Sequence, residues 1–186
     1  MGTQPHGVPK IEERLEAGSH IALSFMRGNG YSAECERTFF VREPTSEMRD
    51  MFHIMQEARK RAFALIKPGV PCEEIDHAAN GFLREQGLGE FLLHRTGHGI
   101  GMGNHEGPWV AEGSQDTLAP NMIISIEPGI YVPDLGGFRH SDTVLVTENG
   151  YELLTQYPDS LEELTIRSWK PITRLRGFLV RKALGV

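Results

Sequence analysis

At 186 residues the chain has the length of one domain, and its apolar fraction, 39% before its 21 glycines are counted, is enough to bury a single substantial core. A net charge of −6 without an acidic or basic block excludes a nucleic-acid footprint, and no apolar run approaches the roughly 18 residues needed to cross a bilayer. Cys35 and Cys72 stand in unrelated contexts and the first twenty residues hold no signal-peptide core, so the reading is a cytoplasmic protein with free thiols, without membrane or nucleic-acid partners.

Residues 2–18 are polar and punctuated by glycine and proline. A β-like run over 20–26, a turn at Gly28-Asn29-Gly30 and a returning strand over 31–41 predict a hairpin. Pro44-Thr45-Ser46-Glu47 sets up a helix start. Met48, Met51, Phe52, Met55, Ala58, Ala62 and Leu65 then recur at three- and four-residue steps, which predicts an amphipathic helix over 48–66, ended by Lys67-Pro68-Gly69. A second helix is expected over 72–86, with Ile75, Ala78, Ala79 and Leu83 on one face and Gly87 as its stop. Residues 94–113 read as a loop dense in His and Gly, followed by strands over 121–131, interrupted by Glu127, and over 136–147, with Asn149-Gly150 as a turn. The more basic tail, 161–186, is set apart from the body at 1–160, and a helix is expected over 172–184. A hairpin, two helices and then several strands predict an α+β fold.

The stretch with the most chemical content is His94-Arg95-Thr96-Gly97-His98-Gly99-Ile100-Gly101, with His105-Glu106-Gly107-Pro108 close behind. Closely spaced glycines let a backbone approach a ligand, and they leave an imidazole free to project into a cavity. Three histidines within twelve residues of such a segment point to a site. By contrast His20, His53 and His77 have no motif around them and read as solvated, and the methionines of the first helix read as core packing.

These residues resemble the signature of the pita-bread metallopeptidases, the family of aminopeptidase P, prolidase, methionine aminopeptidase and creatinase. Three further segments are similar to its motifs and follow in the same order: Gly30-Tyr31-Ser32-Ala33-Glu34-Cys35-Glu36-Arg37-Thr38, Ile126-Glu127-Pro128-Gly129-Ile130-Tyr131, and Gly137-Phe138-Arg139-His140-Ser141-Asp142-Thr143. The resemblance covers roughly 1–156 and implies a curved antiparallel sheet covered by helices, here truncated at the N-terminal side, because only five residues precede His6.

In that family two Asp, one His and two Glu hold two divalent metals. Carried over, the resemblance implies Glu34, His98 and Glu127 as metal ligands. The first Asp position falls on Leu23 or Ser24 and the last Glu on Ser141, so the expectation is one divalent ion at most (Mn, Zn, Co or Fe), or none. The resemblance also implies His105, His6 and Glu127 as catalytic groups and His94, Glu36 and Arg139 as substrate-binding groups. The activity it implies is hydrolysis of a C–N bond, in a peptide with proline second or in a small amide or amidine. The alternatives are a metal-free, creatinase-like amidinohydrolase, suggested by Gly2-Thr3-Gln4-Pro5-His6-Gly7 and Glu36, and a non-catalytic binding module. A sheet lacking its first segment would expose an edge strand and an apolar face, so a homo-oligomer, or else a longer parent chain, is expected.

Overall fold

The computed structural model describes residues 5, 7, 15–167, 177–180, 182 and 183, with backbone alone for 24–28. His6 and most of the expected tail helix lie outside these residues; 177–180, 182 and 183 are helical.

The hairpin forms because Asn29 and Gly30 both take positive φ, 56° and 89°. That pair of left-handed residues reverses a right-twisted ribbon in a two-residue loop. It joins β1 (Gly18–Gly28) to β2 (Tyr31–Val41) in continuous register from Gly18 opposite Val41 to Gly28 opposite Tyr31. The first helix, α1, spans Ser46–Leu65, and the Thr45 hydroxyl caps it by accepting the Met48 N–H at 3.2 Å. The second expected helix is continuous but of mixed pitch: α2 (Cys72–Asp76), a π-helical turn (His77–Gly81) and α3 (Phe82–Glu85).

The remaining strands are β3 (Gly97–Gly99), β4 (Glu106–Val110), β5 (Ile123–Ile126), β6 (Gly129–Val132), β7 (Gly136–Arg139), β8 (Ser141–Val146), β9 (Tyr151–Leu153) and β10 (Thr165–Ile166). The main sheet runs β1-β2-β8-β5-β3-β4, antiparallel throughout, with β9 on β8 and a short parallel β10 on β2. Each of the two long strands expected over 121–131 and 136–147 is divided, and β6 pairs with β7 in a separate two-stranded sheet. Pro128 offers no N–H to a ladder, so the chain leaves the main sheet just after Glu127. The segment 94–113, expected to be a loop, supplies β3 and β4.

Strand alternation assigns the two faces of the sheet. Ile124 and Ile126 of β5 and Val144 and Val146 of β8 are fully buried in one core with Phe52, Met55 and Ala62 of α1 and Leu83 of α3. The same face holds a buried ionic knot. Asp142 accepts from Arg37 Nη2 at 2.7 Å, from Arg59 Nη2 of α1 and from the Thr155 hydroxyl at 2.5 Å. The opposite face of the same strands presents Ser125, Ser141 and Thr143, and there the site forms. Among the described residues, no helix is long and apolar enough to cross a membrane.

Candidate metal centre

Cross-strand partners share a face, so register alone assembles the site. Thr143 lies opposite Ser125, Ser125 opposite His98, and His98 opposite Trp109, a row crossing four strands. A second row runs Leu23–Glu36–Ser141. The glycines beside His98 permit the close strand approach: a Cβ at Gly97 or Gly99 would lie 2.1 Å from the carbonyl oxygen of Ser125 or of Gly107.

His98 is fully buried, and its Nδ1 lies 2.9 Å from Gly99 O. A carbonyl only accepts, so Nδ1 carries a proton and donates it, which turns Nε2 to the centre of the site, where it offers a lone pair to a cation once its own proton is lost. Nε2 lies 3.3 Å from Glu127 Oε1 and 3.5 Å from Glu34 Oε2. The His105 ring sits beside it, with centroids 4.2 Å apart. Glu34 is held by two hydroxyls on Oε1, Ser125 Oγ at 2.8 Å and Ser141 Oγ, and through its backbone by Thr143. Glu36 Oε1 accepts from Arg139 Nη2, whose guanidinium also donates to Pro5 O at 3.1 Å.

Three buried donor atoms, Glu34 Oε2, Glu36 Oε2 and His98 Nε2, make no hydrogen bond among the described residues. Leaving such atoms buried and unpaired is costly, unless a cation is what pairs them. Ligand atoms of Glu34, Glu36 and Glu127 lie within 4.8 Å of one another, as do those of Glu34, His98 and His105. Carboxylate oxygens and an imidazole nitrogen are the donors that divalent ions take, so the residues present fit a metal.

The electrostatics agree with that reading. Burial pushes the Glu36 carboxyl up to about 8; Arg139 opposes the shift, and the charges of Glu127 and Glu34 add to it. Burial works against a charge on His98, yet the neighbouring carboxylates of Glu127 and Glu34 carry its pKa up to about 9. Glu36 and His98 thus hold their protons to higher pH than usual, at the place a cation would occupy. His105 is held below its ordinary value by burial and by the His98 charge, and His94 is lowered by burial.

The support around His98 also comes from the end of α2 and the π-helical turn that follows it. Buried Asp76 accepts the Thr96 N–H at 2.9 Å and the Asn80 amide at 3.0 Å, and Asn80 reaches His94 O at 3.4 Å. His94 donates from Nδ1 to Arg95 O and accepts the Tyr131 hydroxyl on Nε2, both at 2.8 Å. Arg95 lies over the half-exposed Trp109 ring, 4.6 Å from its centroid.

The residues read from the sequence that the structure describes are therefore brought together; His6 lies outside the described residues. Leu23 stands on the site face opposite Glu36, where a carboxylate was sought and not found, and its side chain is 39% exposed. His140 points the other way, into the core against the Phe52 ring, 5.2 Å between centroids, which removes it as a substitute ligand for Ser141. His20, read as solvated, bonds Glu16 O and stacks on Phe39. Glu36 joins the carboxylate cluster as well as gripping Arg139. The signal was present in its spacing, two residues from Glu34 on a strand and so on the same face. Ser125 was missed, although it stands two residues before Glu127 on β5.

Residues 2–148 match the family model described as metallopeptidase family M24. The chain is 40% identical over 153 residues to the Xaa-Pro dipeptidase of Pyrococcus furiosus, a match covering 82% of this chain and 44% of that protein. It superposes on the prolidase from Pyrococcus horikoshii OT3 with a TM-score of 0.83 at 36% identity, covering 86% of this chain and 46% of that one. A Xaa-Pro dipeptidase from Bacillus anthracis gives the same TM-score and identity, with 88% and 46% covered. A methionine aminopeptidase from Thermotoga maritima, 22% identical with a TM-score of 0.70, shares the fold. The chain spans less than half the length of these dipeptidases and prolidases.

Proposed function

Because the chain belongs to metallopeptidase family M24, we propose that it carries the catalytic centre of a C–N hydrolase acting on peptides with proline second, and that this centre holds one divalent ion. The observation that carries the proposal is the convergence near Glu127 of Glu34 Oε2, Glu36 Oε2 and His98 Nε2, all buried and without a hydrogen bond among the described residues. Glu34, His98 and Glu127 would be the principal ligands, with Glu36 Oε2 in reach. When bound, a divalent ion polarises the scissile carbonyl and lowers the pKa of attacking water. The names of the similar proteins support the choice of substrate.

In this reading Glu127 accepts a proton from the water as its oxygen adds to the carbonyl carbon. The C–N bond then breaks, and the leaving nitrogen takes up a proton. His105, largely neutral near pH 7 because its pKa is lowered, is placed to hold that proton or to hydrogen-bond the developing oxyanion. His6 is proposed to share the task, and His94 and Arg139 to line the substrate's path. Arg95, stacked on Trp109 one strand beyond His98, offers a cation to a substrate carboxylate. A homo-oligomer is the proposed assembly, supported by β1, an end strand of the sheet with no partner on its outer edge among the described residues.

Elemental analysis after buffer exchange, paired with turnover of Xaa-Pro dipeptides, tests the proposal. The expected result is no more than one ion per chain and metal-dependent hydrolysis. Metal-free protein that cleaves amidines would favour the creatinase-like alternative instead. His105→Ala is expected to lower turnover by roughly 100-fold or more, the scale of a positioned acid–base group, without shifting the unfolding midpoint. Unchanged turnover would remove His105 from the mechanism.

A further inference from the structure

The two oxygens of the Glu34 carboxylate have different surroundings. Oε1 accepts from the hydroxyls of Ser125 (2.8 Å) and Ser141, and these hydroxyls lie 2.8 Å from each other. Oε2 has no hydrogen-bond partner among the described residues and faces His98 Nε2 at 3.5 Å. All of these groups are buried, Glu34 at 2% exposure and both serines at 0%. A carboxylate so held cannot rotate about its terminal bond without breaking two donors inside the protein, where no water replaces them.

We propose that Ser125 and Ser141 are positioning residues that make Glu34 a one-oxygen donor, fixing Oε2 toward a single metal ion and closing Oε1 to a second. The inference rests on the reading of the centre as a metal site. Three observations converge on it. The serines come from adjacent strands, β5 and β8, and meet on the same face as Glu34 because Thr143 pairs with Ser125 and Ser141 pairs with Glu36. Their protons are directed at a carboxylate oxygen that would otherwise repel its neighbours: Glu36 and Glu127 both place ligand atoms within 4.8 Å of a Glu34 oxygen. At the far end of the row Leu23–Glu36–Ser141, Leu23 supplies no oxygen at all. The side of Glu34 away from His98 is thus occupied by two hydroxyls whose protons already engage Oε1.

Outer-shell groups that orient metal ligands typically change affinity by 10–100-fold when removed. The test is calorimetric titration of the metal-stripped full chain with Mn(II), alongside thermal unfolding of the same stripped protein. Wild type is expected to take one ion. Ser125→Ala and Ser141→Ala are each expected to weaken Mn(II) about 10-fold or more, while the unfolding midpoint of the stripped protein stays within a few degrees. Ser141→Thr, which keeps the hydroxyl on a strand-compatible side chain, is expected to restore most of the affinity. A purely structural role would instead move the midpoint and the affinity together. Undiminished Mn(II) affinity in both alanine variants, or two tight ions on wild type, would overturn the inference while leaving the metal centre standing. If wild type takes up no Mn(II), Zn(II), Co(II) or Fe(II), the metal reading itself falls, and the role of the serines falls with it. Should an alanine variant fail to fold, the other alanine variant and the threonine variant carry the comparison.

Discussion

His98→Ala is expected to cost more metal affinity than any other single change in the molecule, by more than the 10–100-fold typical of outer-shell groups, and to abolish metal-dependent hydrolysis. The imidazole is the one nitrogen donor buried at the heart of the site, and its Nδ1–H bond to Gly99 O already directs Nε2 at Glu34 and Glu127. Its loss leaves Glu34, Glu36 and Glu127 crowded together without the positive partner that offsets them in the metal-free protein. Titration with Mn(II) and a dipeptidase assay measure the effect. Retention of wild-type affinity would exclude His98 as a ligand.

Asp142→Ala is expected to be the most destabilising substitution, by about 3–5 kcal/mol, the cost of leaving buried charges without their partner. Two guanidiniums, Arg37 and Arg59, converge on this carboxylate, and Asp142 and Arg37 are almost wholly enclosed. Against a total stability of about 5–15 kcal/mol, such a loss would be plain in urea unfolding. A change below about 1 kcal/mol would mean that solvent compensates the arginines and that the knot is less buried than its geometry.

The same region fixes an acid-side dependence. Burial would raise Asp142, but Arg59 and Arg37 outweigh it and hold the carboxyl below its ordinary value. Its contribution is therefore present above pH 4 or so and lost as pH falls through the folded-state pKa. His140, pressed against Phe52, is pushed down to about 3 by burial and by the Arg37 and Arg59 charges. Between about 6.5 and 3 the unfolded chain binds the proton that the folded one refuses, so stability falls with pH, by about 2 kcal/mol at pH 5 from this group. Glu36 and His98 are raised and act in the opposite sense, losing stability as pH rises through about 8 and 9. Comparing urea midpoints of wild type and His140→Leu across pH 7 to 4.5 isolates the histidine. The variant's decline is expected to be the shallower, and parallel curves would contradict the assignment.

The local elements were legible wherever a local rule decides them. Asn29-Gly30 dictates its own left-handed turn, Thr45 caps α1, and the three- and four-residue recurrence of Met51, Met55 and Ala62 needs only one buried face. The glycine-flanked His98 could be read as a site because a histidine among close glycines suits neither a helix nor an ordinary strand, whereas Glu34 and Glu127 were picked out by the resemblance of their segments to the family's motifs. Where strands pair across long separations, the sequence was silent. The run 94–113 has too many glycines to signal β3 and β4, and only its pairing with β5 makes them strands. Ser125 and Ser141 look like ordinary polar strand residues until register sets them on either side of Glu34 Oε1, 91 and 107 residues from it along the chain. Alternation alone sends His140 to the opposite face from Ser141, and the core's demand for an apolar neighbour seats it on Phe52. The motifs in the chain named the side chains expected at a cation; only the tertiary structure shows that Glu34 Oε1 is taken by two serine hydroxyls while Oε2 is not, because hydrogen-bond satisfaction depends on neighbours that only folding supplies.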